Sequence, residues 1–540
     1  MGVFQKVGGL SPKRSAHGIS GSKLFTCNMG ELIPVFARRM IPGDTFKIGC
    51  ETAVRLFPMK YPIMHEIDVT AHAFFVPSRL LWNKFDKYIS GGKTGDFAEP
   101  LPKWRPNSDD LQLFSQWDYH GFPIVNYQIP PEGARNLPSD DLRRCYNFIW
   151  DEYYRDQNLD DPINTGDDGT AETPPTVWGN NRKILKRRYK KDYFTSALIQ
   201  RQRGTAPALP IAGTLQLENG LGVSAAQALT ITHNMSRSSG DSSVSVVVPN
   251  VSSQPTITGT KPAQNIPVSG TMDLGDGVTF DISDLRSVVQ LQKWMERNNR
   301  AGIRYGEFIK AHFDEDLGDS TLNRPVYIGG TKAPVMVNEV VQTSGTGATP
   351  QGNMSGHGLS ASDGYIGTYH AKEYGIIMTL LSIMPKPMYE DGIDREWLWT
   401  DKEDWYFPEF AHLSEQGIYN CEVLPQGGNP VNADGKPIAG GDLDIWAYQG
   451  KYDELRVGRD IVCSEMRVKV PNGNQSLADW HMSRSFTTLP HLNSEFITCN
   501  PDTRNFLVRS DKTCLVYHAN MVKAIRPLPP IAEPGLMDHF

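Results

Sequence analysis

Alternation with a period of two residues is the feature of this sequence that most restricts its fold. Between Phe46 and Leu56 the even-numbered positions are mostly apolar, and the odd-numbered positions are mostly polar or small. The same alternation returns between Ile67 and Phe75 and ends at Pro77, which cannot donate to a strand ladder. Each stretch predicts a half-buried strand. Because one strand follows the other with no helix between them, the pattern favours an antiparallel sandwich or barrel over a βαβ fold.

Other signals along the chain predict the remaining elements. Apolar positions at helical spacing predict a helix that Asp284 caps and that continues to Arg300. A short helix is also expected within residues 140–154. Loops rich in glycine, proline and asparagine separate five further predicted strands, at residues 335–341, 374–384, 443–448, 461–470 and 514–525.

The composition fits a large folded chain without a membrane span. Of the 540 residues, 39% are hydrophobic, which is too many for a disordered chain, and the 49 glycines and 38 prolines suit many loops between short strands. The longest nearly apolar run covers residues 375–384, whereas a spanning helix needs roughly 20 residues. We expect no membrane insertion, and no secretory signal because residues 1–30 contain no sufficiently long apolar block.

The sequence contains no recognisable catalytic or metal-binding motif. Its seven cysteines are scattered and form no C-x-x-C pair, which indicates reduced thiols in a cytosolic compartment rather than a zinc site. Lys87 stands where a phosphate-binding loop would need its first glycine, and Val69 stands where a zinc protease motif starting at His65 would need its second histidine. We therefore expect no catalytic residue, no cofactor and no metal.

Opposite charges are segregated along the chain, although the net charge is only −7. Residues 151–172 contain eight acidic residues and one basic residue, whereas residues 182–203 contain nine basic residues and one acidic residue. The negative net charge argues against a dedicated nucleic-acid-binding protein, whose binding domain is usually basic. The net charge does not exclude a local nucleic-acid-binding site in the basic segment 182–203.

The basic segment supports two interpretations that the sequence does not separate. Its cations could neutralise phosphates while neighbouring rings stack on unpaired bases. Alternatively, it is a solvated loop that pairs with the acidic residues 151–172. The candidate contact residues, two of them near the amino terminus, are Arg182, Lys183, Lys186, Arg187, Arg188, Lys190, Lys191, Tyr189, Tyr193, Lys13 and Arg14.

Two regions differ in composition from the rest of the chain. Residues 1–30 contain four basic and no acidic residues and are rich in glycine and serine, which predicts a flexible basic arm. Residues 204–279 contain no aromatic residue and only six charged ones. Because a disordered linker would normally carry more charge and fewer valines and isoleucines, this block favours an ordered, β-rich insertion.

Eleven short blocks are spread in order over nearly the whole chain. They are MGELIPV at 29–35, IPGDTFKI at 41–48, HEIDV at 65–69, FFVPSRLLW at 74–82, DYFTSAL at 192–198, RYGEF at 304–308, SGHG at 355–358, EYGII at 373–377, WHMSRSF at 480–486, LNSEF at 492–496 and IRPLP at 525–529. Together these blocks resemble the major capsid proteins of microviruses, in their gokushovirus version.

The resemblance implies an all-β fold, namely an eight-stranded antiparallel viral jelly roll with large loop insertions and a few short helices. It implies that the jelly-roll domain is formed by residues 31–203 together with residues 284–540, which also provide a carboxy-terminal arm. The intervening residues 204–283 would then be the outward insertion that forms a protrusion at the three-fold axes.

The function implied by the resemblance is that of a structural major capsid protein and not an enzyme. Copies would form pentamers that close into a T=1 icosahedral shell around a circular single-stranded DNA phage genome. The insertion would contact a host cell-surface receptor. Further partners would be internal scaffolding, DNA-pilot and small basic DNA-binding phage proteins. The protein would reside in the virion, and in the host bacterial cytoplasm during assembly.

Two other functions are compatible with parts of the sequence. Trp397, Trp399 and Trp405 lie among carboxylates and could line the sugar cleft of a β-sandwich carbohydrate-binding protein or glycoside hydrolase. The absence of a predicted signal peptide argues against an extracellular hydrolase. A monomeric single-stranded-DNA-binding protein conflicts with the negative net charge and with the chain length.

Overall fold

The computed structural model describes residues 13–90, 101–125, 127–131, 136–163, 181–204, 214–217, 270–273, 282–301, 305–315, 318, 321, 323–341, 343–345, 351, 354–428, 441–470, 475–507 and 512–531. The chain divides into two compact units. The smaller unit is Gln202–Arg297, and the larger one combines Met1–Arg201 with Asn298–Phe540.

Strands make up most of the regular structure in the described residues. In chain order they are β1 Ser15–Gly18, β2 Gly21–Cys27, β3 Ile33–Met40, β4 Thr45–Leu56, β5 Ile67–Pro77, β6 Thr214–Leu217, β7 Gly270–Asp273, β8 Val326–Pro334, β9 Met336–Val341, β10 Met354–His370, β11 Gly375–Pro385, β12 Glu415–Tyr419, β13 Ile445–Gly450 and β14 Cys514–Arg526.

The helices in the described residues are mostly short. They are α1 Ser78–Leu81, α2 Phe85–Ser90, α3 Gln116–Tyr119, α4 Asp141–Ile149, α5 Ile282–Ala301, α6 Tyr305–Phe313, α7 Asn420–Val423 and α8 Ser494–Ile497. A π-helical turn, Trp150–Tyr154, continues α4, so the helix predicted in residues 140–154 is confirmed. The helix predicted from Asp284 is also confirmed, but it begins at Ile282, which places Asp284 in the first turn. None of the described helices combines the length and apolar character that crossing a membrane requires.

Two antiparallel sheets form the body of the larger unit. In the six-stranded sheet β14 pairs with β1 and β2 along one edge and with β4 along the other, and β10 and β9 follow β4. The four-stranded sheet has the order β3, β11, β5, β8. A separate antiparallel pair joins β12 to β13. The described structure is thus mostly antiparallel β, as the alternation predicts.

The apolar positions of β4 and β5 lie between the two sheets. Phe46 and Ile48 of β4 pack in one cluster with Phe75 of β5 and Ile377 of β11, and all four side chains are buried. Complete burial of each such side chain contributes about 1.5–3 kcal/mol. The predicted inward positions of both alternating stretches are therefore confirmed.

The four-stranded sheet is also covered on its second face, over part of its area. Phe74 of β5 and Met378 of β11 pack there against Tyr146 and Ile149 of α4. Burial on both faces explains why β11 is an almost continuous apolar run rather than an alternating one, because both sets of side chains contact a core. It is this strand that forms the longest apolar run of the sequence.

Two predictions of local structure are wrong. The described part of the predicted amino-terminal arm, residues 13–30, contains β1 and β2, and both strands pair with β14. Their glycine- and serine-rich sequences have little intrinsic preference for strands. We therefore attribute the formation of these strands to their pairing with β14. Residues 461–470, predicted as a strand, contain a 3-10 turn at Ser464–Met466 and only an isolated bridge at Ile461.

Strands β8 and β10 were not predicted, because glycines interrupt their alternation. Close approach of neighbouring strands requires some of these glycines. A Cβ atom at Gly329 of β8 would lie 2.1 Å from the Ile366 carbonyl oxygen, and one at Gly356 of β10 would lie 2.6 Å from the Tyr61 carbonyl oxygen. The glycines that obscure the pattern are thus a condition of the packing.

Little of the predicted insertion 204–283 lies within the described residues. Inside it, β6 and β7 form an antiparallel pair with Leu217 opposite Gly270. Residues 205–213, 218–269 and 274–281 are outside the described residues, so the β-rich character predicted for them stays a prediction.

Buried histidines make the fold sensitive to acid. Burial lowers the pKa of His65, His72 and His518 to about 4 and that of His120 to about 3. A histidine in the unfolded chain has a pKa of about 6.5, so between pH 6.5 and pH 4 the unfolded state binds more protons than the folded state. The free energy of unfolding must therefore fall as the pH falls through this range, by about 1.4 kcal/mol for each unit of pKa difference.

We expect His518→Gln to reduce this loss of stability at low pH, because glutamine can bond to Thr52, the 2.8 Å partner of His518, but cannot be protonated. The measurement is the urea midpoint of unfolding of the isolated subunit at several values between pH 6.5 and pH 4. His412→Gln, at an exposed position, serves as the control and should retain the wild-type pH dependence. Identical pH dependence in both variants would show that His518 does not contribute.

Candidate nucleic-acid interface

The first part of the basic segment lies in an extended conformation between residues 30–31 and residues 498–499 of the larger unit. Lys186 forms a backbone bridge with Glu31, and Arg188 forms one with Thr498. Between them, the Arg187 backbone N–H donates to the Gly30 carbonyl oxygen at 2.7 Å, and the Arg187 carbonyl oxygen accepts from the Cys499 N–H at 2.9 Å. These bonds fix where each side chain of the segment points.

Three cations of the segment are paired with carboxylates. Arg182 pairs with Asp110, and its side chain is partly buried there. Arg188 pairs with Asp160 at 2.6 Å, and Lys191 pairs with Asp156 at 2.6 Å. Burial opposes ionisation of Asp156, but its hydrogen bond and ion pair with Lys191 outweigh this and lower its pKa.

Asp156 and Asp160 both belong to the acidic run 151–172. The interpretation in which the two oppositely charged segments pair is therefore correct for Arg188 and Lys191.

The two tyrosines of the segment are core residues. Tyr189 is buried beneath Arg484, whose guanidinium lies 5.1 Å from the ring centroid, and burial raises the pKa of Tyr189 well above its usual value. Tyr193 is also buried, and its hydroxyl donates to Glu422 Oε2 at 2.7 Å. Neither ring is accessible to a base, so the predicted stacking on Tyr189 and Tyr193 does not fit this structure.

The remaining predicted contact residues are at or near the surface. Lys183 is exposed, and Lys186 donates to Asn500 Oδ1 at 2.5 Å. Lys13 and Arg14 are both exposed and directly precede β1. They are thus far in sequence from the basic segment, and the structure gives no contact between the two groups within the described residues.

A cleft of about 800 Å³ lies on the outer face of the four-stranded sheet, and the basic segment forms one of its walls. Outward-facing side chains of β5, including Thr70 and His72, form its floor. The cations that line it are Arg155, Arg187, Arg188, Lys190, Lys191, Lys332 and Lys386.

Most of these cations are neutralised locally. Besides Arg188 and Lys191, ion pairs join Arg155 to Asp151, Lys332 to Asp68, and Lys386 to Asp460 and Glu66. Within the described part of the chain, the lining cations without a carboxylate partner are Arg187 and Lys190.

Arg187 projects into the cleft over two neutral hydroxyl groups. Its Nη1 donates to Thr70 Oγ1 at 2.7 Å and to Ser382 Oγ at 3.0 Å, and its guanidinium lies 5.5 Å from the centroid of the Tyr154 ring. Thr70 and Ser382 are directly opposite on β5 and β11. Because hydroxyl groups orient the guanidinium without neutralising it, Arg187 can still bind an anion.

His72 supports this wall of the cleft without adding charge. Its Nδ1 lies 2.8 Å from the Tyr154 hydroxyl, and burial, with a smaller effect of the nearby Arg187 charge, lowers its pKa to about 4. Gly330 opposite His72 has to be a glycine, because a Cβ there would lie 2.5 Å from the imidazole and 2.9 Å from the Ala71 carbonyl oxygen.

The described residues contain no arrangement of metal ligands. Within those ranges, no three histidine, cysteine, aspartate or glutamate side chains are grouped as a metal site would need. The tryptophans considered for a sugar cleft are partly at the surface: Trp397 and Trp405 are exposed, and the rings of Trp399 and Trp405 meet edge to face at 5.2 Å.

Comparison with known families resolves the class of protein. The chain matches the model of the family described as "Capsid protein (F protein)" over residues 6–536. The chain belongs to this capsid protein family. The match covers both strand-forming parts of the larger unit and the insertion between them.

Curated relatives of this capsid protein are viral proteins that carry the name Capsid protein VP1. The chain is 31% identical to the one of Chlamydia phage 1, over 99% of this chain and 97% of the relative. It is 29% identical to that of Bdellovibrio phage phiMH2K, over 94% of this chain and 91% of the relative. It is 28% identical to that of Spiroplasma virus 4, over 94% of this chain and 93% of the relative. The resemblance to gokushovirus capsid proteins is confirmed, and the sugar-binding alternative is not favoured.

Sequence reasoning missed the side chains that complete the cleft. Thr70 occupies an outward position of a strand that was predicted correctly, so its orientation was predictable. Ser382, Lys332 and Tyr327 come from elements whose outer faces carried no recognisable pattern. Only the pairing of β5 with β8 and β11 brings them to the basic segment.

We expect Asp160→Asn to destabilise the larger unit by about 3–5 kcal/mol, because it leaves the largely buried Arg188 guanidinium without its counter-charge. Lys190→Ala, at an exposed position in the same segment, should change the free energy of unfolding by no more than about 0.5 kcal/mol. Urea unfolding of both variants measures the difference. Similar, small effects of the two substitutions would contradict a structural role for the Arg188 pair.

Proposed function

We propose that this capsid protein assembles into a small T=1 icosahedral shell around the circular single-stranded DNA genome of a phage. The observation that carries the proposal is the family match over residues 6–536, together with relatives that are each named Capsid protein VP1 and that align along nearly their whole length. A structural role without catalysis follows from the same family.

The strand order supports an eight-stranded jelly roll as the shell-forming domain. The strands β2, β14, β4 and β10 form four consecutive positions of one sheet, and β3, β11, β5 and β8 form the other. Successive strands of the chain, from β2 to β5, thus lie in one sheet and then the other, as in a Greek-key sandwich. We propose that β1 and β9 extend this domain.

Exposed apolar side chains support assembly of many copies. A loop region between β11 and β12 exposes large apolar side chains close together in sequence, namely Trp397, Trp405, Tyr406, Phe407 and Leu413. Aromatic residues exposed in this density are typical of protein–protein interfaces. Contacts between different surfaces of neighbouring copies close into rings when the rotation between copies allows it, and we propose rings of five that close into the shell.

Other partners are proposed from the family resemblance. They are internal scaffolding, DNA-pilot and small basic DNA-binding phage proteins, and a host cell-surface receptor that the insertion 204–283 would contact. The proposed location is the virion, after assembly in the cytoplasm of the host bacterium, with no insertion into a membrane.

The proposed genome contacts are centred on the cleft. Arg187 and Lys190 are favoured because they lack carboxylate partners among the described residues and can neutralise phosphates. The exposed Lys183, Lys13 and Arg14 are further proposed contacts. Arg182, Arg188 and Lys191 are less suited to this role, because their charges are neutralised within the protein.

Particles from the native source, treated with nuclease and sedimented, test the proposal directly. Uniform small icosahedra in electron micrographs, with protected single-stranded DNA, are expected. A slowly sedimenting species without protected DNA would contradict the proposal.

In such particles Arg187→Gln with Lys190→Ala should lower the DNA content. With isolated subunits and a single-stranded oligonucleotide, the logarithmic salt dependence of binding should become less steep by about 1.4, since each neutralised phosphate contributes about 0.7. Lys372→Ala, at an exposed position just after β10, is the control. An unchanged salt dependence in the double variant would exclude these two residues from DNA binding.

Shortening the insertion should leave assembly intact and abolish infection. Because Leu217 and Gly270 are directly opposite, residues 218–269 can be replaced by an Asn-Gly turn that keeps β6 and β7 paired. We expect particles of normal sedimentation that no longer attach to host cells. Loss of particles, with the subunit still folded, would instead identify the insertion as a contact within the shell.

A further inference from the structure

The outer face of the six-stranded sheet carries a pair of like charges that the fold itself does not require. Lys47 of β4 and Lys523 of β14 are directly opposite each other, and both are exposed. Like charges at directly opposite positions of an antiparallel pair are destabilising. Within the described residues neither lysine takes part in an ion pair, so the repulsion is not relieved by the protein.

A trough of about 450 Å³ lies beside the two lysines. Gly49 forms part of its floor, because β4 presents no side chain at this outward position. Met521 of β14 and Tyr365 of β10 are both directly opposite Gly49 and form the sides. The lysine row and this row are two residues apart along the strands, which is about 7 Å.

Tyr365 is positioned as a platform beside the lysines. Tyr365 as a whole residue is 65% exposed, the most of any tyrosine among the described large apolar residues, and its hydroxyl is held 2.5 Å from Thr368 Oγ1. An exposed ring with a fixed hydroxyl group presents its face at little entropic cost. Stacking of a base on such a ring needs no sequence-specific hydrogen bonds.

Two further cations precede strand β1, which is a neighbour of β14. Gly18 of β1 is opposite Lys523, and the exposed Lys13 and Arg14 come before the first residue of this strand. Strand β1 thus runs from these two cations to the lysine pair. On the other side of Tyr365, Glu51 and Asp363 are directly opposite each other and limit the positive area.

We propose that the trough binds one nucleotide of single-stranded DNA, with its phosphate between Lys47 and Lys523 and its base on Tyr365. This inference rests on the proposed function, in that the DNA is the packaged genome, but it concerns a sheet face far in sequence from the basic segment. The acidic pair Glu51 and Asp363 gives the bound strand a preferred side, since a second phosphate would be repelled there.

A second copy of the chain is the competing occupant. A two-fold-related copy could place its Glu51 against Lys47 and the reverse, because the face carries both signs. The exposed Tyr365 ring beside two lysines without ion pairs in the described residues favours a nucleotide, since a nucleotide carries both a phosphate for the lysines and a base for the ring. A nucleotide would cover the lysines only where DNA is present, whereas a second copy of the chain would cover them with or without DNA.

Acetylation of lysine amines, measured by mass spectrometry, distinguishes a bound nucleotide from a second copy of the chain. The samples are dissociated subunits, particles that contain DNA, and DNA-free particles, with Lys372 as the internal reference. Protection of Lys47 and Lys523 in DNA-containing particles only is the expected result. Protection in both kinds of particle would identify a second copy and overturn the inference.

Reactivity of both lysines in all three samples would also overturn the inference. If the same particles contain nuclease-protected single-stranded DNA, the proposed function stands and only this site is excluded. Particles without protected DNA would refute the proposed function, and the inference with it.

Oligonucleotide binding by subunits gives a second readout. Lys47→Ala with Lys523→Ala should make the logarithmic salt dependence less steep by about 0.7, because the two lysines share one phosphate, and should not destabilise the subunit because it removes a repulsion. Tyr365→Ala should weaken binding about five- to hundred-fold without changing the salt dependence, and Tyr365→Phe should restore binding. Wild-type binding by Tyr365→Ala would show that no base stacks there.

Discussion

The insertion of the last strand between the amino-terminal strands and β4 is the constraint on which the larger unit depends. β14 pairs with β4 from Cys514 opposite Leu56 to Ile525 opposite Thr45, and its other edge accepts β1 and β2. The buried bond between Thr52 and His518 joins residues 466 positions apart. Because closing such a distant contact costs chain entropy before it gains packing, this sheet can form only when nearly the whole chain is present.

The parts of this fold that sequence could predict are those whose alternation reports burial on one face. β4, β5 and β14 meet that condition, and β11 was recognisable as a buried apolar run. Strands β1, β2, β8 and β10 could not be predicted in this way. Their small residues reflect close approach to neighbouring segments and pairing with a partner strand, not burial of one face in a core. Residues 461–470 form a 3-10 turn and an isolated bridge instead of the predicted strand.

The candidate site was predictable at the level of charge and not at the level of residues. The runs 151–172 and 182–203 are opposite in sign, and two pairs, Asp160 with Arg188 and Asp156 with Lys191, do form between them. Which cations lack a carboxylate partner depends on the tertiary structure. Arg187 faces the hydroxyl groups of β5 and β11 instead of a carboxylate, and that outcome follows only from strand register.

A shell protein that contains DNA has to satisfy two electrostatic conditions at once. Copies that were strongly basic would repel one another before the genome arrived, and the net charge of −7 avoids this. A few exposed cations without partners cost little in water, yet each releases a counterion when a phosphate replaces it. The buried pair of Arg188 with Asp160 holds the backbone that carries Lys190, so the proposed binding cation is presented by a segment already ordered. In the proposed function, the ion pairs and the free cations of this segment are therefore complementary: the ion pairs reduce the entropy lost on binding, and the free cations would bind the phosphates.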